Sequence, residues 1–188
     1  MAAATWMQAA GKSDRRCRVH QWGNEKSRLI DSDTLELNTQ HLTISLLEAG
    51  ILCVINLVEE EEQGTDGKPL RSYADLLTKL ANERNTDITY ARLSIRDVDV
   101  TSTATMKTIL DVIDSQLAQQ RPVYVHCWGG RGRTGIVVGC YLVRHGLALG
   151  EEALDQIRQL RREEETAGKP SPETDPQCDM VRMWKQGA

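Results

Sequence analysis

The stretch "VYVHCWGGRGRTGIVVGCYLV", from Val123 to Val143, decides the fold. It opens on a short apolar run and closes on a second that is apolar on nearly every side. Between them stand Cys127, three glycines (Gly129, Gly130, Gly132) and two arginines (Arg131, Arg133). The first run reads as a buried strand, the second as a buried helix, and the residues between them as a glycine-rich strand-to-helix turn. Ligands of open parallel sheets collect at this end of the strands. The glycines admit backbone conformations closed to other residues, so that successive N–H groups can converge on one concavity. Such a nest at a helix N-terminus binds phosphate-like anions. The same field favours a thiolate, which makes Cys127, at the mouth of the loop, the expected nucleophile. Arg133 lies six positions on, and its planar fork suits two oxygens of a phosphoryl group.

Outward from this stretch, composition sets the bounds. The chain has 188 residues, of which 40% are hydrophobic and 27% charged, enough for one sizeable core but not comfortably for two. A net charge of -4 gives no bulk attraction to nucleic acid or acidic membranes, so an anion site has to be built locally. No apolar stretch approaches the ~20 residues that span a bilayer, and the opening "MAAATWMQAAGKSDRRCRVH" has no apolar signal core, so a cytoplasmic protein is expected. The five cysteines (Cys17, Cys53, Cys127, Cys140, Cys178) are odd in number and irregularly spaced, which argues against a disulfide framework. No Cys or His pair has metal-ligand spacing, and neither metal nor cofactor is expected. His20, His41 and His145 have ordinary surface or helix-flank readings.

The remaining segments alternate. Residues 1–36 read as a loosely ordered or partly packed arm with a basic cluster (Arg15, Arg16, Arg18) and at most one short strand; residues 37–188 form the expected catalytic domain. From Thr39 a helical pattern runs to a glycine stop at Gly50, and "ILCVINLV" follows as a buried strand. The acidic run Glu59–Glu62 reads as a solvated turn or helix start. "SYADLLTKLANERN" is an amphipathic helix, "DITYARLSI" a strand, and "TATMKTILDVIDSQLAQQ" a helix capped by Ser102 or Thr103. Two C-terminal helices follow, "EEALDQIRQLRREEE" and "SPETDPQCDMVRMWKQ", the second opening at its Ser-Pro. Strands alternating with helices imply an α/β fold with a mostly parallel central sheet and helices on both faces.

A bare Cys-x5-Arg spacing is a weak signal, but "HCWGGRGRTG" between a buried strand and a buried helix is a strong one. It resembles the signature of the cysteine-dependent protein tyrosine phosphatase superfamily, and the wider "VYVHCWGGRGRTGIVVGCYLVRHG" is similar to the dual-specificity branch, small bacterial-type members in particular. The resemblance covers the order of elements from about Thr39 to Trp184. It implies the protein tyrosine phosphatase-like fold and a metal-free, two-step hydrolysis of phosphomonoesters through a phosphocysteine. It gives Cys127 the nucleophile's role and makes Arg133 the phosphate-binding arginine. His126 orients the loop, and Thr134 assists departure of the thiolate. Trp128, Gly129, Gly130, Arg131 and Gly132 complete the phosphate-binding loop.

The reaction also needs a general acid on a nearby loop. The resemblance places it about thirty residues before the cysteine, where "LSIRDVDV" offers Asp97, with Asp99 as rival. Asp97 is preferred, because small relatives often read Ile-Arg-Asp here and because it lies nearest the strand end. Thr101 departs from the proline of many relatives. Arg96 either steadies the loop or lies at the surface. Cys53 and Cys140 read as small apolar packing, with a resolving role for one of them as the alternative. Arg131 either meets a second phosphate, points to solvent, or pairs with an acid such as Asp97 or Asp99. The expected substrate is a phosphorylated protein, with phosphotyrosine and phosphoserine or phosphothreonine both accepted, and the expected state is a monomer. A polyanionic inositol phosphate or phosphoinositide is the alternative substrate. A silent phosphate-binding module is the alternative of another class. A rhodanese-like sulfurtransferase fits less well, given Thr134 and Asp97.

Overall fold

In the computed structural model, which describes residues 4–9, 17–22, 32–64, 67–164 and 166–188, the order of elements is two strands, a helix, and then strands and helices in alternation. Strands β1 (Ala4–Ala9) and β2 (Cys17–Trp22) precede helix α1 (Ser32–Glu48). Strand β3 (Cys53–Asn56), helix α2 (Ala74–Glu83), strand β4 (Thr89–Arg92) and helix α3 (Thr103–Ala118) come next. Strand β5 (Val123–His126) and helices α4 (Gly132–Arg144), α5 (Glu151–Leu160) and α6 (Asp175–Met183) complete the chain. The five strands form one sheet in the order β2-β1-β5-β3-β4. Strands β5, β3 and β4 run parallel, as the alternation of strands with helices implied, while β1 pairs antiparallel with both β5 and β2. The N-terminal arm thus supplies two strands where the sequence suggested at most one. Neither carries the continuous apolar run of a doubly covered parallel strand, and antiparallel strands need none. Arg15 and Arg16 of the basic cluster lie outside the described residues.

Helices cover both faces of the parallel strands. On one face, Leu46 and Leu77 from α1 and α2 pack with Val54 and Tyr124 of the sheet. On the other, α3, α4, α5 and α6 enclose the larger cluster, which includes Ile55, Val125, Ile109, Ile113, Val137 and Ile157. Helix α4 is buried at every position from Gly132 to Val143, which is why its sequence shows no polar face. At Gly139 a Cβ would stand 2.6 Å from Cγ2 of Val181, so the missing side chain is what lets α6 lie against α4.

Two helix ends differ from the sequence reading and two match it. α1 begins at Ser32, not Thr39, but its stop is as expected. Gly50 has a φ of 73°, its N–H bonds the Leu47 carbonyl, and the Ile51 N–H bonds that of Leu46, a Schellman closure. α6 opens at Asp175 rather than at Ser171-Pro172. Thr174 caps it: the Thr174 hydroxyl accepts from the Gln177 N–H and the Gln177 side chain accepts from the Thr174 N–H, a reciprocal pair that fixes the start three residues further on. Ser102 caps α3, its hydroxyl accepting from the Thr105 N–H at 3.0 Å.

Candidate active site

Parallel register brings three strand ends to one edge of the sheet. The Leu57 N–H bonds the His126 carbonyl at 2.8 Å, the Leu93 N–H that of Asn56 at 2.9 Å, and the Ile95 N–H that of Leu57 at 3.0 Å. The chain leaving β3 therefore stays beside the chain leaving β5, and the chain leaving β4 beside that leaving β3. Their continuations carry Glu62, Cys127 with Arg133, and Asp97 respectively.

The loop after β5 behaves as its sequence implied. Gly130 takes a left-handed φ of 62°, a conformation that costs other residues energy. α4 starts at Gly132, and the N–H groups of its first turn have no acceptors within the helix. They and the helix dipole face the loop, a favourable setting for an anion. Cys127 is buried, 8% exposed, and its Sγ receives the Thr134 hydroxyl at 3.1 Å. Trp128, next in the loop, remains 45% exposed.

Arg133 has the largest fully buried side chain of the protein's described part. Its Nη1 and Nη2 meet the two carboxylate oxygens of Glu62 at 2.5 and 2.8 Å. Nη1 also donates to the Ile95 carbonyl at 3.3 Å, and Nη2 lies 2.9 Å from Oδ1 of Asp97. Burial opposes the charge, but the bonds to Glu62 and the charges of Cys127, Glu62 and Asp97 outweigh it and hold the guanidinium above its ordinary range. Glu62 itself is pre-set: its Oε2 accepts from the Glu59 N–H at 3.2 Å, and the turn is tied down by Arg92 on the Glu59 carbonyl and Ser94 on that of Val58.

His126 ends β5 and stacks on Tyr124, with ring centroids 5.4 Å apart. Its Nδ1 lies 3.2 Å from the Cys127 carbonyl, which can only accept, so Nδ1 carries the proton. Nε2 must then accept, and the Tyr73 hydroxyl donates to it at 2.7 Å. Burial pushes the imidazole down to about 4, against the pull of the Cys127 carbonyl bond and with help from Arg133 and Arg92, so a neutral ring holds the loop's first peptide.

Asp97 and Asp99 are separated by their contacts. Asp97 is turned to Arg133, whereas Oδ1 of Asp99 accepts from the Val100 N–H at 2.8 Å. Arg96 is exposed, and its carbonyl accepts from the Asp99 N–H at 3.3 Å. Arg131 does pair with an acid, but the partner is Glu173, from the segment before α6, and neither of the two aspartates considered from sequence. Cys53 and Cys140 are fully buried, and burial pushes their thiols up to about 11 and about 12, which suits packing.

Four residues with a place in or against the site had no visible signal in the sequence. Glu62 was one acid in a run of four, and Tyr73 stood at the head of an ordinary amphipathic helix. Glu173 and Gln177 are 40 and 44 residues beyond the loop. They lie so close beneath it that a Cβ on Gly132 would stand 3.0 Å from the Gln177 amide and 3.1 Å from the Glu173 carboxylate. Ser171 joins them, its hydroxyl donating to the Arg131 carbonyl at 2.8 Å.

A thiol at the mouth of an arginine-closed anion loop, set on the central strand of this sheet, defines a class: the cysteine-dependent phosphatases of the protein tyrosine phosphatase superfamily. Comparison with known proteins narrows this. The model of the DSP-PTPase phosphatase family of polymorphic toxin systems matches residues 36–147, and the chain belongs to that family. Among curated proteins, it is 29% identical over 112 residues to protein tyrosine phosphatase domain-containing protein 1 of Bos taurus, and 28% identical over 114 residues to that of Danio rerio. Each match takes in 60% of this chain but only 14% and 16% of the relatives' length, so the chain spans only a small part of these proteins. Among solved structures, kinase-associated phosphatase with its catalytic-site cysteine changed to serine aligns with a TM-score of 0.62 at 19% identity, covering 95% of this chain and 90% of that one. Tk-PTP in its active form aligns at 0.55 and 24% identity, covering 85% and 88%. PTPMT1 in complex with PI(5)P aligns at 0.58 and 22% identity, covering 77% and 83%. The fold expected from sequence, that of the protein tyrosine phosphatase superfamily, is thereby established.

Proposed function

We propose that the chain is a dual-specificity protein phosphatase that works through a phosphocysteine on Cys127. The observation that carries the reading is the meeting of Cys127, Thr134, Arg133 and Asp97 at one loop, each in contact with another member of the set. In the first step the Cys127 thiolate attacks phosphorus, an S–P bond forms, the P–O bond to the alcohol or phenol breaks, and protonated Asp97 gives its proton to the departing oxygen. In the second, water attacks the same phosphorus while ionised Asp97 takes its proton; the S–P bond breaks, and the Thr134 hydroxyl stabilises the departing thiolate. Arg133 and the loop N–H groups hold the equatorial oxygens throughout.

The choice of a singly phosphorylated protein over a polyanion rests on Arg131. Its charge is matched by Glu173, so it has no unpaired cation to offer a second phosphate. The decisive measurement is hydrolysis of phosphotyrosine and phosphoserine peptides against an inositol polyphosphate at matched concentration, with Cys127→Ser as control. Turnover of both peptides, its loss in Cys127→Ser and retained vanadate binding by that variant are expected. Turnover that survives the serine change overturns the phosphocysteine route, and a preference for the inositol polyphosphate overturns the substrate class.

A further inference from the structure

The acid loop carries a conformational cost. Val98, between the two aspartates, has a φ of 60°, a left-handed backbone that a β-branched side chain adopts only under constraint. Val98 is 56% exposed, so its own packing does not supply that constraint. The constraint comes from both neighbours. On one side Asp97 is held by Arg133. On the other the Asp99 carbonyl accepts a 2.9 Å hydrogen bond from Nε2 of Gln177, 78 residues away in sequence.

Gln177 is built for this contact. It is fully buried, and its Oε1 is already used by the N–H groups of Glu173 and Thr174 at 3.0 and 3.3 Å. The amide is therefore oriented by the cap of α6, with Oε1 fixed on that cap and Nε2 turned to the acid loop. The same side chain underlies Gly132, the first residue of α4. One buried amide thus touches the phosphate loop, the α6 cap and the acid loop.

We propose that Gln177 is a positioning residue that holds the strained acid loop so that Asp97 stays over the phosphate loop. The inference rests on the assignment of Asp97 as general acid made above. Gln177→Glu tests it most directly, because a carboxylate keeps the acceptors that the cap needs and loses the donor to Asp99. The variant should lose about tenfold or more in kcat on a phosphoserine peptide, whose alkoxide needs a proton, and little on 4-nitrophenyl phosphate, whose leaving group does not. Combined with Asp97→Asn, it should add no further loss on the peptide. Because Gln177 is buried, Val98→Pro is run alongside: the position is exposed, proline cannot take a positive φ, and the same selective loss is expected. Asp97→Asn alone separates the two claims. If it shows no selective loss, the acid assignment falls; if it does and the folded Gln177→Glu enzyme does not, the positioning role falls. Should Gln177→Glu fail to fold, equal losses on both substrates in Val98→Pro overturn the proposal.

Discussion

Glu62→Ala is the substitution whose size can be worked most directly from the geometry. Arg133 is 1% exposed and the Glu62 side chain 12%, and the two share a bidentate pair at 2.5 and 2.8 Å. Removing one partner of a buried pair leaves the other charge uncompensated, at roughly 3–5 kcal/mol. Arg133 would keep the Ile95 carbonyl and Asp97, and Glu62 is not wholly dry, so the lower end, about 3 kcal/mol, applies. For a chain of this size that is a fall in Tm of about 6–12 °C. The catalytic loss is of a different kind. An unpinned guanidinium swings away from where the phosphoryl oxygens must sit, and a misplacement on the order of 1 Å costs about a hundredfold in kcat/KM. Thermal unfolding and hydrolysis of 4-nitrophenyl phosphate read the two effects separately. Glu62→Gln, which retains an acceptor but no charge, should fall between. Glu60→Ala and Glu61→Ala change exposed acids of the same run and should stay within about 0.5 kcal/mol of the parent. A Glu62→Ala enzyme with parental Tm and kcat/KM, or one indistinguishable from its two neighbours, refutes the reasoning.

Two further outcomes follow from groups around the loop. His126 is held neutral with a value near 4 against an ordinary 6.5, so between those two pH values the unfolded chain binds the extra proton and stability is lost as pH falls. Comparing denaturant unfolding of the parent and His126→Asn at pH 7 and pH 4.5 should show about 2 kcal/mol less acid sensitivity in the variant, and equal sensitivity counts against a neutral imidazole. Glu173→Gln should free the Arg131 charge and raise kcat/KM for an inositol polyphosphate by about tenfold while leaving a phosphotyrosine peptide nearly unchanged. A change that is the same on both substrates would show that the pair does not set specificity.

What could be read in advance follows the range of the interactions. The phosphate loop was legible because strand, turn and buried helix are contiguous, and each residue's use depends on neighbours within about ten positions. The inner parallel strands β3 and β5 were legible because burial on both faces leaves apolar runs such as "ILCVINLV". Glu62 was not, because four consecutive acids are equivalent until the end of β3 is in register with β5 and the turn is tied to Arg92 and Ser94. Glu173 and Gln177 were out of reach for a similar reason. Their approach to Gly132 depends on how closely α6 packs on α4 at Gly139 and Val181, and no local pattern encodes a helix-to-helix distance. The sequence near Arg131 therefore points to local aspartates as its partner, whereas Glu173 stands 42 residues away.

The antiparallel pairing of β1 with β5 has a consequence for how the chain can be cut. β5, which ends one residue before Cys127, is the middle strand of five because β1 lies along its outer side. A fragment beginning at residue 37 would keep every residue of the catalytic loop and turn β5 into a sheet edge. Its unpaired N–H and C=O groups would then offer a template to any extended chain, including another copy of itself. The N-terminal strands act in this sense as a guard against self-association, and a fragment drawn around Cys127 and its loop alone would lay bare the edge that they cover.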